Sequence, residues 1–434
     1  MQTNFTAEQL ADSATADSER NLRACVHCGF CLTTCPTFDL LGDERDSPRG
    51  RIYAIKDMLE HDRPATAEVA LHIDRCLSCL ACVTACPSGV NYQHLIDHAR
   101  AHVEETYRRP LADRLLRSLL AWLLPYPDRF RLALGAARLV RPLRRFTTGR
   151  LGALLALTPA HLPRAGVDES VASFPALGER KARVALLAGC AQRAIAPSIN
   201  AATIRLLNRH GVEVIVPPQA GCCGAIVHHL GKAEQARALA IATMKAWMSE
   251  IEQGGLDAIV VNASGCGTEI KDYGHIFRDD PVWAEPARRI SALARDISEF
   301  MHGLGLQTPE TETSLNVAYH AACSLQHGQR ITAQPKALLQ AAGFAVRDVA
   351  DGHFCCGSAG TYNLLQPEIA GRLRDKKAGN IARTGADLVA TGNIGCMTQL
   401  AGGLDIPIVH IVELLDWRTG GPVPARLAAL KPAT

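Results

Sequence analysis

Apolar positions are not spread evenly along this chain. In the C-terminal half they gather in short runs separated by helix-periodic stretches. Arg183–Leu187 and Val317–Tyr319 are short apolar runs of the kind a buried parallel strand shows. Each is followed by a cysteine and then by a helical-period segment, Ala202–Leu207 in one case and Pro335–Ala341 in the other, closed by Gly211 and Gly343. Second strands are predicted at Val212–Val216 and Ala345–Val349, helices at Ala233–Met248 and Glu368–Ala382, and third strands at Ala258–Asn262 and Leu388–Thr391. This alternation predicts an α/β unit built on a parallel sheet, and predicts it twice. Between residues 105 and 180 the pattern changes. Leu111, Leu115, Leu116, Leu119 and Leu120 fit one helical face, and Leu132, Leu139 and Leu143 suggest another. The longest apolar stretches there, Leu115–Leu124 and Leu151–Leu157, fall short of a bilayer span.

Cysteine spacing turns the repeated pattern into a duplication. Cys190 precedes Cys222 by the same interval, 32 residues, that separates Cys323 from Cys355. The second cysteine of each pair opens a Cys-Cys-Gly triplet, Cys222-Cys223-Gly224 and Cys355-Cys356-Gly357, and a further cysteine follows at Cys266 and Cys396. Every one of these cysteines follows a predicted strand, so each copy gathers four thiols beyond the carboxyl ends of its sheet, where sites assemble in open α/β folds. Four thiols can hold an iron–sulfur cluster, hold zinc, act as a redox dithiol, or keep the geometry without metal. Adjacent cysteines face one metal only if the chain turns sharply, which the following glycine permits.

The N-terminal region carries two runs of another kind, Cys25-x2-Cys28-x2-Cys31-x3-Cys35-Pro36 and Cys76-x2-Cys79-x2-Cys82-x3-Cys86-Pro87. Three thiolates from one tight loop and a fourth placed before proline suit a cubane cluster, and in two-cluster ferredoxins that fourth cysteine serves the other cluster. The expected ligands are therefore Cys25, Cys28, Cys31 and Cys86 for one 4Fe–4S cluster and Cys76, Cys79, Cys82 and Cys35 for the second. Small residues in the loops, Gly29, Ser78 and Ala81, let backbone N–H groups approach the sulfurs. Zinc favours Cys-x2-Cys pairs split by a longer spacer, which two complete runs closed by Cys-Pro do not match. Residues 1–20 lack the basic and apolar regions of a secretory signal, so the sixteen cysteines are expected in a reducing cytoplasm, not in a disulfide framework.

Composition adds a domain plan. The 434 residues are 47% hydrophobic, enough for several cores, and divide into a two-cluster domain (1–104), a basic helical linker (105–180) and two Cys-Cys-Gly domains (181–310 and 311–434). The fold class expected is α+β and α/β: a helical, ferredoxin-like N-terminal domain followed by two repeated α/β domains. A net charge of +3 and 5% aromatic residues argue against a nucleic-acid partner. From Thr106 to Ala165, however, twelve arginines face only Asp113 and Asp128. Such a stretch suits a packed connector with solvated arginines, an acidic partner subunit, or an anionic membrane surface at which the chain sits peripherally. His228 and His229, just after the first triplet, are expected near the surface or beside the ligands, with a ligand role the rarer alternative. Asp46, Arg49 and Arg51 are expected to fix the loop that returns Cys76 to the first block. There is no Gly-x-Gly-x-x-Gly fingerprint, no P-loop and no haem motif, so hydride chemistry is expected on a partner.

Arg23–Cys31, Asp46–Tyr53, Ala220–Ala225, Ala263–Gly267, Cys355–Tyr362 and Asn393–Cys396 resemble the iron–sulfur subunit of glycolate oxidase (glycolate dehydrogenase) over nearly the whole chain. That family shares its ferredoxin and Cys-Cys-Gly modules with the iron–sulfur subunits of glycerol-3-phosphate dehydrogenase, lactate-oxidising complexes and heterodisulfide reductase. The resemblance implies separate flavin subunits, with FAD on those partners, oxidising glycolate to glyoxylate. It implies that this chain takes their electrons and passes them towards a membrane quinone. The alternatives are a lactate or glycerol-3-phosphate complex, or a heterodisulfide reductase-like catalytic subunit. Modules of the last kind close with Cys-x-x-Cys, whereas Glu269 follows Cys266 and Gln399 follows Cys396 here. Each copy thus keeps four cysteines, which speaks against a non-cubane cluster.

Overall fold

A computed structural model describes residues 1–159, 161–163, 166, 172–309 and 313–428. The boundary expected at 310/311 and the last six residues lie outside the described residues.

The N-terminal region is helical. Ser13–Ala24, Pro48–Glu60, Ala67–Asp74 and Tyr92–Thr106 enclose a core of Leu22, Ile55, Ile73, Leu95, Ile96, Ala99 and Val103. The helix Pro48–Glu60 starts where a proline can sit at no cost, with the Ser47 hydroxyl accepting from the Gly50 N–H. Tyr92–Thr106 runs across the expected 104/105 boundary.

The first α/β unit has strands β1 (Ser173–Phe174), β2 (Ala182–Leu186), β3 (Val212–Ile215), β4 (Ala258–Val261) and β5 (Ala294–Asp296), in the order β1-β3-β2-β4-β5. Only β1 pairs antiparallel. The second unit has β6 (Asn316–Tyr319), β7 (Ala345–Asp348), β8 (Leu388–Thr391) and β9 (Ile408–His410), all parallel, in the order β7-β6-β8-β9. Without β1 the two orders are the same, as a duplication requires. The copies also pack reciprocally. Ser198–Arg209 of the first lies on Ile411–Arg418 of the second, and Ile297–Leu304 of the first lies on Gln334–Ala341 of the second. One apolar core runs through both sheets, from Val184 and Val260 to Val317 and Val389. Arg205 and Arg209 reach across to the buried Asp416.

The connector forms helices Leu111–Leu123, Pro127–Val140 and Gly149–Leu157. Its expected apolar face divides. Leu120, Ala121 and Leu124 pack with Val227, Leu230, Ala236 and Leu365, so the connector is docked on both copies. Leu111, Leu115, Leu119 and Trp122 are each more than half exposed. Nor are all its arginines solvated: Arg109 and Arg117 are buried against Asp74 and Asp113. No helix among the described residues is long and apolar enough to cross a membrane.

Candidate iron–sulfur centres

The two ferredoxin-type loops share left-handed backbone at two matching positions. His27 and Ser78, two residues into each run, have φ of 56° and 48°, and Gly29 and Leu80, two further on, have φ of 85° and 61°. Left-handed residues at matching positions curl each loop around its own sulfurs, and the Ser78 N–H points at Cys76 Sγ from 3.5 Å. Two clefts result. One is lined by Cys25, Cys28, Cys31 and Cys86, the other by Cys35, Cys76 and Cys79, with Cys82 at the wall of both. The cysteine before each proline thus falls in the other loop's cleft. The first cleft opens at the surface, where Cys28 is exposed between Val26 and Phe30, at 65% and 60% exposure. The cysteines of the second, Cys35, Cys76, Cys79 and Cys82, are all buried.

The thiols of Cys31, Cys79 and Cys82 resist ionisation. Burial, followed by the charge of neighbouring Cys25, pushes Cys31 up to about 11. Cys79 and Cys82 are raised well above the usual thiol range, first by burial and then by the neighbouring cysteines. A metal reverses that penalty by supplying the positive charge, so the donor set fits iron. Beside the second cleft the protein holds a cation of its own. Arg51, 1% exposed, donates to the His72 carbonyl at 2.7 Å and the Thr37 hydroxyl at 3.1 Å, with Cys35 Sγ at 4.0 Å. Asp46, fully buried, accepts from Arg75 at 2.8 Å and lies 2.8 Å from His72 Nδ1. This network ties the helix carrying Arg51 to the segment that leads into Cys76. Arg49 instead reaches the His27 carbonyl of the first loop and Glu44.

The two Cys-Cys-Gly turns are also matched. Gly224 (φ 94°) and Gly357 (φ 87°) turn so tightly that a Cβ would lie 2.9 Å from the Ala236 carbonyl and 2.6 Å from that of Ala370. Their N–H groups point at Cys222 Sγ and Cys355 Sγ, each from 3.4 Å. Each buried triplet has the later cysteine beside it: Cys223 adjoins Cys266, and Cys356 adjoins Cys396. Cys323 Sγ and Cys355 Sγ are 3.8 Å apart. The surroundings differ. Cys355 packs against Leu77, Cys79 and Ala81 of the second ferredoxin loop, and the Tyr362 hydroxyl donates to the Arg75 carbonyl at 3.1 Å. Cys223 packs within its own copy, where the Tyr273 hydroxyl donates to its carbonyl at 2.6 Å. The segments bearing the last cysteines meet, with Asn393 Nδ2 donating to Ser264 Oγ at 2.8 Å.

His228 is partly buried and paired with a carboxylate. Its Nδ1 lies 2.8 Å from Glu269, which is 5% exposed, and although burial opposes it, the Glu269 charge raises the imidazole to about 10. His229 lies alongside, within 3.9 Å of Asp97. Sequence reading missed two groups. Asp17, His94 and His275 converge in a cavity with Asp97 and Asp272, His94 and His275 stacking at 3.4 Å. No spacing foretells this group, because its members come from three separate segments. The other is His320, whose ring lies against Cys356 and Cys396. Here a signal existed, since superposing the repeats on their cysteines puts His320 opposite Leu187.

Comparisons with known proteins agree with this layout. Residues 21–90 match a family described as "4Fe-4S dicluster domain", and residues 184–271 and 317–401 each match "Cysteine-rich domain". The "Glycolate oxidase iron-sulfur subunit" of Escherichia coli (strain K12) is 40% identical, over 96% of this chain and 98% of that protein. The chain belongs to the glycolate oxidase iron–sulfur subunit family. A "Probable glycolate oxidase iron-sulfur subunit" of Bacillus subtilis (strain 168) is 31% identical over 92% of the chain. "Lactate utilization protein A" of Exiguobacterium sp. (strain ATCC BAA-1283 / AT1b) is 29% identical over 54%. A glycolate oxidase iron–sulfur subunit of this kind carries iron–sulfur clusters and is part of an oxidoreductase.

Proposed function

We propose that this chain is the electron-relay subunit of a flavin-dependent glycolate dehydrogenase, with Cys25, Cys28, Cys31 and Cys86 holding one 4Fe–4S cluster and Cys76, Cys79, Cys82 and Cys35 the other. The reading rests on one observation: the cysteine before each proline lines the cleft of the opposite loop. When bound, the clusters supply one-electron carriers, which a flavin partner needs to pass on a substrate's electron pair singly. The chain's own residues set the conditions. The loops curl N–H groups towards sulfur, Arg51 places a buried positive charge at the second cleft, and the cysteines of that cleft are buried. The exposed rim of Val26 and Phe30 at the first cleft is where we place the flavin-bearing partner. The stripe of Leu111, Leu115, Leu119 and Trp122, with Arg129 stacked 4.7 Å over Trp122, is where we place the inner face of the cell membrane and the approach to quinone.

The test is copurification with the flavin subunits, followed by glycolate-dependent dye reduction. Cys82→Ser is expected to abolish reduction by the complex, and reduction that survives loss of the ferredoxin clusters rules out the relay. Lactate and glycerol 3-phosphate serve as competing substrates. EPR checks the crossed ligands: Cys86→Ala is expected to remove the signal of the first loop's cluster, and Cys35→Ala that of the second.

A further inference from the structure

The two Cys-Cys-Gly sites have the same sheet order and cysteine spacing, yet different donors. In the second copy His320 follows β6 directly and is 2% exposed. Its Nε2 is buried without a hydrogen-bond partner. One nitrogen of its ring lies within 4.8 Å of Cys356 Sγ and Cys396 Sγ, which are equally close to one another. An imidazole nitrogen buried without a partner costs about 1–3 kcal/mol, and the ring that carries it stands among thiols. In the first copy Leu187 stands at the matching position and contributes no donor. A second difference lies across the site. Counting seven residues on from the carbonyls that crowd the triplet glycines, Ala236 and Ala370, gives Thr243 in the first copy and Lys377 in the second. Lys377 is 2% exposed, and its ammonium donates to the Asp351 carbonyl at 2.6 Å. The charges of Cys355 and Cys356 act on it directly.

We infer that the second copy holds a single zinc-type ion through His320, Cys356 and Cys396, with the Cys323–Cys355 pair supplying the fourth ligand, and that the first copy has no nitrogen ligand. Spacing separates one ion from a cluster. Tetrahedral zinc with bonds of about 2.3 Å puts its sulfurs about 3.8 Å apart. His320, Cys356 and Cys396 offer donor atoms that all lie within 4.8 Å of one another, so a small closure brings them onto one ion. Three thiolates, one imidazole and a dication carry a net charge of −1, which the buried Lys377 balances. The first copy has no such cation at the matching position, where Thr243 bonds the Cys222 carbonyl.

This inference deepens the metal assignment of the proposed relay but does not depend on its substrate. Iron in the ferredoxin loops is read separately from zinc, so either can fail alone. The experiment is metal analysis of the anaerobically purified full chain, wild type beside His320→Leu and His320→Cys. Leucine is what the first copy buries at this position, so the fold should accept it. His320→Leu is expected to lose about one zinc per chain, or to release it to a chelator at least ~100-fold faster, beyond what loss of a merely supporting hydrogen bond costs. Iron content and the EPR of the ferredoxin clusters should not change. His320→Cys should restore binding, and cobalt in place of zinc should then gain sulfur charge-transfer absorption over the wild type. Wild-type protein with no zinc and additional iron would overturn the inference, as would zinc retained unchanged in His320→Leu or a failure of His320→Cys to rescue.

Discussion

The two Cys-Cys-Gly copies share a sheet order, a cysteine spacing and a glycine turn against a helix carbonyl, but they bury opposite kinds of polar group. Beyond its last cysteine the first copy has Glu269 paired with His228, a charged pair. At the same register the second copy has Gln399, whose amide accepts from Asn363 at 3.0 Å and donates to the Ala370 carbonyl at 3.0 Å. The second copy instead keeps its charge at Lys377 and its imidazole at His320. The difference teaches that this duplication preserved a thiol scaffold while the groups around the thiols diverged. Position in the assembly suggests why: the second copy lies against a ferredoxin loop, and the first packs its triplet on its own helices.

The largest expected effect tests that positional asymmetry. Cys355→Ala and Cys223→Ala should each weaken metal binding in their own copy. Only the former should also shift or diminish the EPR signal of the second ferredoxin cluster, because Cys355 shares a packed cluster with Cys79. Equal disturbance by both variants would mean that the copies are equally coupled to the ferredoxin domain.

Next comes the charge pair. His228→Ala leaves Glu269 buried and alone, which should cost about 3–5 kcal/mol. Asn363→Ala in the second copy leaves only a neutral amide short of one partner, at about 1–3 kcal/mol. Thermal unfolding of the anaerobic protein measures both. The pair also has a pH signature. Its folded pKa of about 10 lies above the ordinary histidine value, so its stabilisation is complete below about pH 6.5 and is lost as pH rises through about 10. The gap in melting temperature between wild type and His228→Ala should therefore narrow from pH 7 to pH 10, while the gap for Asn363→Ala stays level.

These pairs also show what a sequence reveals and what it hides. The duplication, its strands read at Arg183–Leu187 and Leu388–Thr391, and the helices between them were legible because buried parallel strands are short, mostly apolar runs and cysteines follow their ends. Strand β5 escaped because Ala294-Arg-Asp is too short and polar to register. The connector's leucines fit one helical face on paper, but periodicity says which residues share a face, not what covers it. Leu120 found the neighbouring Val227 and Leu115 found solvent. The shared core of the two sheets and the pairing of His228 with Glu269 depend on contacts between distant segments, which no local pattern encodes.

A smaller effect should be common to both copies. Gly224→Ala and Gly357→Ala each force a side chain onto left-handed backbone and against a helix carbonyl. Each should cost about 1–3 kcal/mol and slow metal incorporation in its own copy. If one copy tolerates the change, its triplet is not held by the turn.

The smallest effect lies where the copies meet. Asn393 begins the helix Ile394–Leu400 and accepts from the N–H groups of Gly395 and Cys396. Ala263 occupies the same place before Ser264–Lys271, with a similarly extended backbone and no side-chain cap. Asn393→Ala makes the second copy like the first and should cost about 1 kcal/mol for the cap, with a further loss from the bond to Ser264. The reverse change, Ala263→Asn, offers an acceptor to N–H groups that no side chain caps at present and should stabilise by about 0.5 kcal/mol. Calorimetric melting of both variants resolves the comparison. Opposite signs would show that the caps differ only through the residue. A loss in both would show that Ser264, already engaged by Asn393, leaves no room for a second cap at that junction.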